Sequence, residues 1–205
     1  MEKSLLSTRQ KRSVETRKKL LAAGREVFIE HSFQKTTISQ IIKKAATGYG
    51  TAYVYFKNKD DILIVLMEDV MNQFYSIAER SFQPKSKKEA HMMIQNQVRA
   101  FLQMAEKERT MLQIFEEAIG ASIEVRQKWS DIRERFINRI IQDIAFSQEN
   151  GLARNNIDKA IVARGWFYMN EMFLWEIVRN DKEISLEKIT FTLTELYTVG
   201  LYEKG

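Results

Sequence analysis

A scarcity of helix-breaking residues is the feature that most constrains the fold of this sequence. Its 205 residues contain eight glycines and one proline, Pro84. β-Sandwiches and β-barrels need many turns, which are rich in these two residues, so the composition argues against an all-β fold. Apolar residues instead recur at three- and four-residue steps, as in Leu20, Ala23 and Val27, which is the spacing of an amphipathic helix. We therefore predict an all-α protein of about nine helices.

The charges are distributed unevenly along the chain. Residues 1–60 carry 13 Lys or Arg and 5 Asp or Glu, a net charge of +8, whereas residues 61–205 carry 19 and 22, a net charge of −3. A basic N-terminal third predicts a surface that binds an anion, although a solvated basic face has the same composition. The remainder of the chain shows no such bias, which indicates a second role.

Several classes of protein are excluded by composition. The absence of cysteine excludes disulfides, thiolate metal sites and cysteine nucleophiles, and is compatible with a reducing cytosol. No apolar run approaches 18 residues, and the polar N-terminus lacks the apolar segment of a secretory signal. We therefore expect a cytoplasmic protein without a transmembrane helix.

Three short helices are predicted within the basic third. The first begins near Ser13, the second is capped by the hydroxyl of Thr37, and the third runs from Tyr49 to Phe56. A turn at residues 46–48 joins the last two, which is the arrangement of a helix-turn-helix. We predict a flexible basic arm at residues 1–12, a helix-turn-helix DNA-binding domain at 13–58 and a second domain at 59–205.

The third of these helices has an outward face rich in hydroxyl groups. Ala52 and Phe56 are four residues apart and are expected to point inward. The positions left on or near the surface carry Tyr49, Thr51, Tyr53 and Tyr55. Exposed tyrosines are costly unless something contacts them, and hydroxyl groups suit phosphates and base edges. This face is therefore a candidate DNA-binding surface.

The run Gly50-Thr51-Ala52-Tyr53-Val54-Tyr55-Phe56-Lys57-Asn58-Lys59, downstream of Thr36-Thr37-Ile38, resembles the tetracycline-repressor (TetR) family of bacterial transcription factors. The resemblance covers about residues 15–65 and implies a homodimer that binds a double-stranded DNA operator. It implies that the DNA contacts come from Thr37, Tyr49, Gly50, Thr51, Tyr53, Tyr55 and Lys59. Packing is the alternative role for each, above all for Tyr53, whose ring can lie on a neighbouring helix.

The sequence departs from the family pattern at three places. Ala46-Thr47-Gly48 stands where the family has Gly-Val-Ser, and Tyr49 stands where small polar or basic residues are usual. Ser32 replaces a common glycine after the first helix. The conformation of the turn and the preferred operator therefore do not follow from the resemblance.

The resemblance also implies that residues 59–205 bind a ligand and form the dimer. The segments Trp129–Phe136 and Met169–Glu171 are similar to the ethionamide-regulator branch, whose members have a long aromatic tunnel with an Asn beside the ligand. Together with other bulky, adaptable side chains, this predicts a site formed by Phe101, Phe115, Trp129, Phe136, Trp166, Met169, Asn170 and Phe173. Such residues are also typical of a core. The expected effector is small and apolar, of a drug-like or fatty-acyl type.

The final helix, from Ser185 to Tyr202, is apolar around much of its circumference, so we expect it to be buried on more than one side. The last two helices of two protomers would form a four-helix interface and set two recognition helices about 34–36 Å apart. The sequence thus predicts a homodimeric repressor that an effector releases from a palindromic operator. A TetR-like activator, or a helical protein that binds a membrane surface or a partner, is the alternative.

Enzymatic function is disfavoured. Di-metal helical bundles use Glu-x-x-His motifs, but neither His31 nor His91 follows a glutamate at that spacing. The chain also lacks a glycine-rich phosphate loop and a Gly-x-Ser-x-Gly elbow. We expect no catalytic residue, no cofactor and no metal.

Overall fold

The computed structural model describes residues 7–180 and 185–202. Within these residues the chain forms nine α-helices and no strand, and an isolated bridge pairs Ala153 with Tyr202. The helices are α1 (Thr8–Lys35), α2 (Ile38–Lys44), α3 (Tyr49–Tyr55), α4 (Lys59–Ala78), α5 (Lys87–Lys107), α6 (Arg109–Ala121), α7 (Ile123–Glu149), α8 (Lys159–Arg179) and α9 (Leu186–Leu201). The prediction of an all-α fold is confirmed. None of the helices in the described part of the chain is both long and apolar enough to span a membrane.

The described chain divides into two compact units. Unit 1 comprises residues 7–69 and 114–128, and unit 2 comprises residues 70–113, 129–180 and 185–202. Helices α4, α6 and α7 therefore each contribute residues to both units. The sequence analysis placed the domain boundary between residues 58 and 59 because the helix-turn-helix motif ends there. That this boundary separates DNA binding from ligand binding and dimerisation stays a prediction.

Helix α1 begins at Thr8, earlier than the start expected near Ser13. Ser7 Oγ accepts a hydrogen bond from the Gln10 amide at 3.2 Å, and Gln10 Oε1 accepts one from the Ser7 amide at 2.8 Å. This reciprocal capping box satisfies two amides at the helix end and places Arg9, Lys11 and Arg12 in the helix. The expectation of a flexible arm up to residue 12 is therefore wrong for residues 8–12. The first six residues of that arm lie outside the described residues.

The core of unit 1 depends on close helix packing. Phe28 on α1, Ile41 on α2 and Ile62 on α4 are fully buried. A Cβ atom placed on Gly24 of α1 would lie 2.5 Å from Cγ2 of Ile62. The missing side chain at Gly24 therefore lets α1 and α4 approach closely, which seats the helix-turn-helix on the start of α4.

Unit 2 is a bundle in which α5 packs against α8 and α9. Ser86 caps α5 by accepting a hydrogen bond from the Glu89 amide at 3.2 Å, as the sequence predicted. Trp166 of α8 stacks on Tyr197 of α9, with ring centroids 4.1 Å apart. Helices α5 and α8 both contribute side chains to the cavity described below.

Candidate nucleic-acid interface and ligand cavity

Helix α3 buries one side and exposes the other. Ala52 and Phe56 are buried, as their spacing predicted. Tyr49 is 55% exposed, Tyr53 is 47% exposed and Val54 is 78% exposed. Such large exposed apolar surface on a seven-residue helix indicates a binding face. Thr51 and Gly50 are exposed on the same helix.

Tyr55 is held differently from the other tyrosines of α3. It is half-buried, and its hydroxyl donates a hydrogen bond to Ser13 Oγ on α1 at 2.9 Å. The ring therefore helps to fix α3 against α1. Its predicted contact with DNA stays a prediction and would require the hydroxyl to share or exchange this bond.

Thr37 is exposed at the start of α2. Its Oγ1 accepts a hydrogen bond from the Gln40 amide at 3.3 Å and donates one to Gln40 Oε1 at 3.0 Å. An exposed hydroxyl at the start of a helix is suited to a phosphate, which would have to compete with Gln40 for the hydroxyl proton. Lys44, at the other end of α2, is paired with Glu30 at 2.7 Å and Glu26 at 3.1 Å, and these hydrogen bonds raise the pKa of Lys44.

Lys59 holds the connection between α1 and α2. Its Nζ donates to the carbonyl oxygens of Phe33 at 2.6 Å, Thr36 at 3.0 Å and Gln34 at 3.4 Å. The ammonium also lies 4.2 Å from the centroid of the Phe33 ring. Because an ammonium has three donors, a DNA phosphate would have to compete with these carbonyls. The predicted phosphate contact of Lys59 stays a prediction.

Glu117 of α6 binds backbone amides in the same segment, where Lys59 binds the carbonyl oxygens. Its carboxylate accepts hydrogen bonds from the amides of Phe33 at 3.0 Å and Gln34 at 3.1 Å. Glu117 is 84 residues from Phe33 in sequence, so no local pattern could have indicated this contact. The last turn of α1, which follows the kink at Ser32, is thus fixed by one cation and one carboxylate, both within unit 1.

Two of the departures from the family pattern have a conformational meaning. Ser32 has φ 65° and ψ 171°, and Ala46, in the turn before α3, has φ 50°. The family pattern has glycine at both positions, and glycine adopts positive φ without a steric penalty. Ser32 and Ala46 therefore hold, at some cost in strain, a backbone conformation that glycine would adopt more easily.

Unit 2 contains a cavity between α4, α5, α7 and α8. It is a half-open cleft, and the space within its outline amounts to about 530 Å³ when open solvent is included. Four of the predicted ligand-site residues lie in its lining: Phe101, Phe136, Trp166 and Asn170. The lining also contains residues that the sequence analysis did not single out: Ile77, Ala78, Ile94, Gln97, Val98, Arg139, Ile140, Asp143 and Phe167.

A pair of opposite charges lies in this mainly apolar lining. An Nη atom of Arg139 is 2.8 Å from Oδ1 of Asp143 and donates to the Arg80 carbonyl at 3.0 Å. Nε of Arg139 is buried without a hydrogen-bond partner among the described residues. Burial raises the pKa of Asp143 to about 7, although Arg139 opposes the shift. Asn170 satisfies its amide by donating to the Trp166 carbonyl at 2.8 Å.

The other four predicted ligand-site residues do not line this cavity. Phe115 is fully buried and belongs to unit 1. The indole of Trp129 donates to Oε1 of Glu171 at 2.7 Å. Met169 and Phe173 are half-buried on α8. Packing accounts for Phe115 and Trp129 in this structure, and a ligand contact for any of the four stays a prediction.

Sequence periodicity could have identified part of the missed lining. Ile94, Gln97, Val98 and Phe101 recur at three- and four-residue steps on α5, so one helix face contains them all. Periodicity does not distinguish a face that lines a cavity from one that is packed in a core. Arg139 and Asp143 are four residues apart on α7, a spacing that predicts an ion pair on one helix face but not that this face lines a cavity.

Comparison with known proteins assigns this architecture. Residues 20–66 match the bacterial regulatory proteins of the tetR family, and residues 94–203 match the C-terminal domain of the transcriptional regulator EthR. The "Fatty acid metabolism regulator protein" of Bacillus subtilis (strain 168) is 26% identical over 187 residues, which span 90% of this chain and 95% of that protein.

Solved structures show the same fold. A TetR-family transcriptional regulator from Syntrophomonas wolfei superimposes with a TM-score of 0.73 at 24% identity, covering 90% of this chain and 93% of that one. The SmeT–triclosan complex superimposes with a TM-score of 0.72 at 18% identity, covering 93% of each chain. With a helix-turn-helix match followed by an EthR-type domain across more than half of its length, the chain belongs to the TetR family of bacterial transcriptional regulators and is not an enzyme.

Proposed function

We propose that this regulator is a homodimeric repressor that binds a near-palindromic operator and is released by a small effector held in unit 2. The observation that carries the proposal is the exposed face of α3, where Tyr49, Tyr53 and Thr51 project from a helix-turn-helix. A recognition helix in this motif lies in the major groove and reads base edges. We assign that reading to Tyr49 and Thr51.

Positioning contacts come from residues around this face. Thr37 offers a hydroxyl at the start of α2, where helix amides favour a phosphate. Gly50 is exposed, and a Cβ placed on it would have no neighbouring atom within 4 Å. The absence of a side chain there leaves room for a close approach of the sugar–phosphate backbone. Tyr53, Tyr55 and Lys59 complete the proposed contact set, the last two in competition with their internal hydrogen bonds.

The proposed dimer uses the outward faces of α8 and α9. In α9, Ile189, Leu193 and Tyr197 are buried within the chain, while a second row of apolar side chains is exposed. The exposed apolar residues of the two helices are Ile161, Tyr168, Met172, Phe191, Leu196 and Val199. Large apolar side chains exposed in this number on two helices are typical of a protein–protein interface. Sedimentation equilibrium should give a dimer, and a strictly monomeric protein would contradict the proposal.

The cavity of unit 2 is the proposed effector site. Phe101, Phe136 and Trp166 provide large apolar surface, and Asn170 provides a polar group. Two similar proteins, the "Fatty acid metabolism regulator protein" and the SmeT–triclosan complex, support an effector with substantial apolar surface. The lining is therefore suited to a drug-like or fatty-acyl molecule.

Effector binding must change the DNA-binding state by a free-energy difference between two conformations. A coupling of about 1–3 kcal/mol changes operator affinity about 5- to 150-fold. Switching from almost full occupancy to almost none requires about 5.5 kcal/mol. We propose that α4, which contributes residues to both units, transmits the change to the spacing of the two DNA-binding heads.

Fluorescence anisotropy with the promoter region next to the protein's own gene tests operator binding. Thr51→Ala is expected to reduce the preference for the operator over unrelated duplex, because a base contact is lost. Ser39→Ala, at an exposed position on α2, is the matched control and should leave the preference unchanged. Absence of saturable, salt-sensitive binding by the wild-type protein would refute the proposal, and run-off transcription distinguishes repression from activation.

Lys59→Met gives a separate test of the phosphate contact. If Lys59 binds a phosphate, operator and unrelated DNA should lose affinity equally, and the slope of log K against log salt should fall by about 0.9. If its ammonium serves only the α1–α2 connection, thermal stability should fall while the salt slope is kept. The second result would remove Lys59 from the contact set.

A further inference from the structure

The cavity proposed above as the effector site contains one feature that an apolar, neutral ligand does not explain. Arg139 and Asp143 are neighbours on α7 and form an ion pair inside a lining that is otherwise mainly aromatic and aliphatic. Pairing two charges at a partly buried site costs desolvation that is seldom fully recovered, and two apolar side chains would be more stable there. The pair is therefore better suited to binding than to stability.

We propose, on the basis of the effector site assigned above, that the natural effector is an amphipathic carboxylate whose ionised headgroup pairs with Arg139 in place of Asp143. Its apolar chain would lie against Phe101, Phe136 and Trp166. The ligand class is thus a medium- or long-chain carboxylic acid in its anionic form.

The guanidinium keeps an unused donor that a ligand carboxylate in place of Asp143 would engage. Asp143 accepts from one Nη atom at 2.8 Å, while the buried Nε has no partner among the described residues. An arginine side chain binds a carboxylate best through two parallel N–H groups, which the intramolecular pair does not provide. A ligand carboxylate that engages Nε and an Nη atom would satisfy the unpartnered donor. The amide of Gln97, also in the lining, offers a further polar group.

Asp143 can leave the ion pair by taking up a proton. Its pKa is already near 7 because of burial, and a second carboxylate on Arg139 would raise that pKa further. The titratable groups close to Asp143 are Arg139 on α7 and the phenols of Tyr197 and Tyr202. Burial raises the pKa of both phenols, so both stay neutral. The described lining residues of α4, α5 and α8 include no titratable side chain.

Proton uptake by Asp143 gives the inference a measurable signature. Ligand binding should take up close to one proton at pH 8, where Asp143 of the free protein is mostly ionised. Affinity should be nearly constant between pH 6 and 7 and should fall by up to tenfold per pH unit above 7. A ligand without a headgroup charge should show neither effect.

Isothermal titration calorimetry with decanoate and with decanol, which has the same chain length and no charge, tests the inference on the full-length protein. Wild-type protein should bind decanoate at least tenfold more tightly than decanol at pH 7. Arg139→Met should remove this advantage while decanol binding is kept, which also shows that the variant is folded. Asp143→Asn should bind decanoate about tenfold more tightly than wild type at pH 8 and equally at pH 6.

Proton uptake is measured by repeating the decanoate titration at pH 8 in phosphate and in Tris, whose ionisation enthalpies differ. A difference that corresponds to about one proton supports the inference, and no difference overturns it. Equal loss of decanoate and decanol in Arg139→Met also overturns it, as does failure of the wild type to bind decanoate. Operator binding by the unliganded protein is measured separately, so the DNA-binding proposal stands or fails independently of these results.

Discussion

Ser32→Gly is expected to stabilise the protein, although replacing a residue by glycine usually does the opposite. Ser32 adopts φ 65° and ψ 171°, a conformation populated almost only by glycine. The next residue, Phe33, is fixed at both of its backbone polar groups. Its amide donates to the Glu117 carboxylate, and its carbonyl accepts a hydrogen bond from the Lys59 ammonium. The surrounding structure therefore imposes the strained backbone on serine.

The size of the effect is a difference between two opposing terms. A non-glycine residue in this region costs about 1–3 kcal/mol, which glycine removes. Glycine also gives the unfolded chain more conformational freedom, which costs about 0.4–1 kcal/mol of stability. The net gain is about 0.5–2 kcal/mol, or a rise in Tm of roughly 1–8 °C for a chain of this length. Ala46→Gly should act in the same direction, because Ala46 has φ 50°.

Differential scanning calorimetry at one fixed protein concentration measures the effect, since the Tm of a dimer depends on concentration. Ser39→Gly is the control, because it is the same substitution at an exposed helical position of the same unit. The control should lose about 0.5 kcal/mol through helix propensity. If Ser32→Gly lowers the Tm as much as Ser39→Gly does, the argument from backbone strain is wrong.

Two further predictions concern packing and pH. Gly24→Ala should destabilise the protein by about 1–3 kcal/mol, because the new methyl group would lie 2.5 Å from the buried side chain of Ile62; a chemical denaturation midpoint equal to wild type would contradict this. The half-buried Asp143 has a folded-state pKa near 7, above the ordinary value of about 3.9. The free energy of unfolding of the unliganded wild type should therefore fall between about pH 4 and 7 and stay constant above that range. Over that pH range the free energy of unfolding of the wild type should fall by about 2–4 kcal/mol relative to that of Asp143→Asn. If the curves of unfolding free energy against pH are parallel for the two proteins, the raised pKa of Asp143 is refuted.

Local features were read correctly from the sequence where short-range physics determines them. The periodicity of the α-helix predicts which residues of α3 point inward and which point outward. Ala52 and Phe56 are buried and Tyr49 and Thr51 are exposed, as this periodicity predicts. The start of α1 was misjudged because the capping signal at Ser7 and Gln10 stands in a basic segment that reads as a flexible arm. At this position the two reciprocal hydrogen bonds of the capping box determine where the helix begins, whereas the basic composition does not.

Only half of the residues predicted for a ligand site line the cavity, since apolar side chains in a core and in a cavity have the same sequence pattern. Phe101 and Phe136 line the cavity, while the indole of Trp129 is committed to Glu171, and nothing in the order of residues separates these cases. The position of Arg139 in the cavity lining was not predicted, for the converse reason. A charged residue on a long helix usually faces solvent, and only the packing of α4, α5 and α8 around α7 brings this one into an apolar lining.

The order of amino acids by itself determined the all-α class, the basic head and the tyrosine-bearing recognition helix, because helix periodicity, capping and net charge act over a few residues. Only the tertiary structure decided that Glu117 and Lys59 clamp the link after α1, and that an ion pair lies in the cavity wall. These contacts join residues far apart in sequence, and their energies depend on burial and geometry that exist only once the helices have packed.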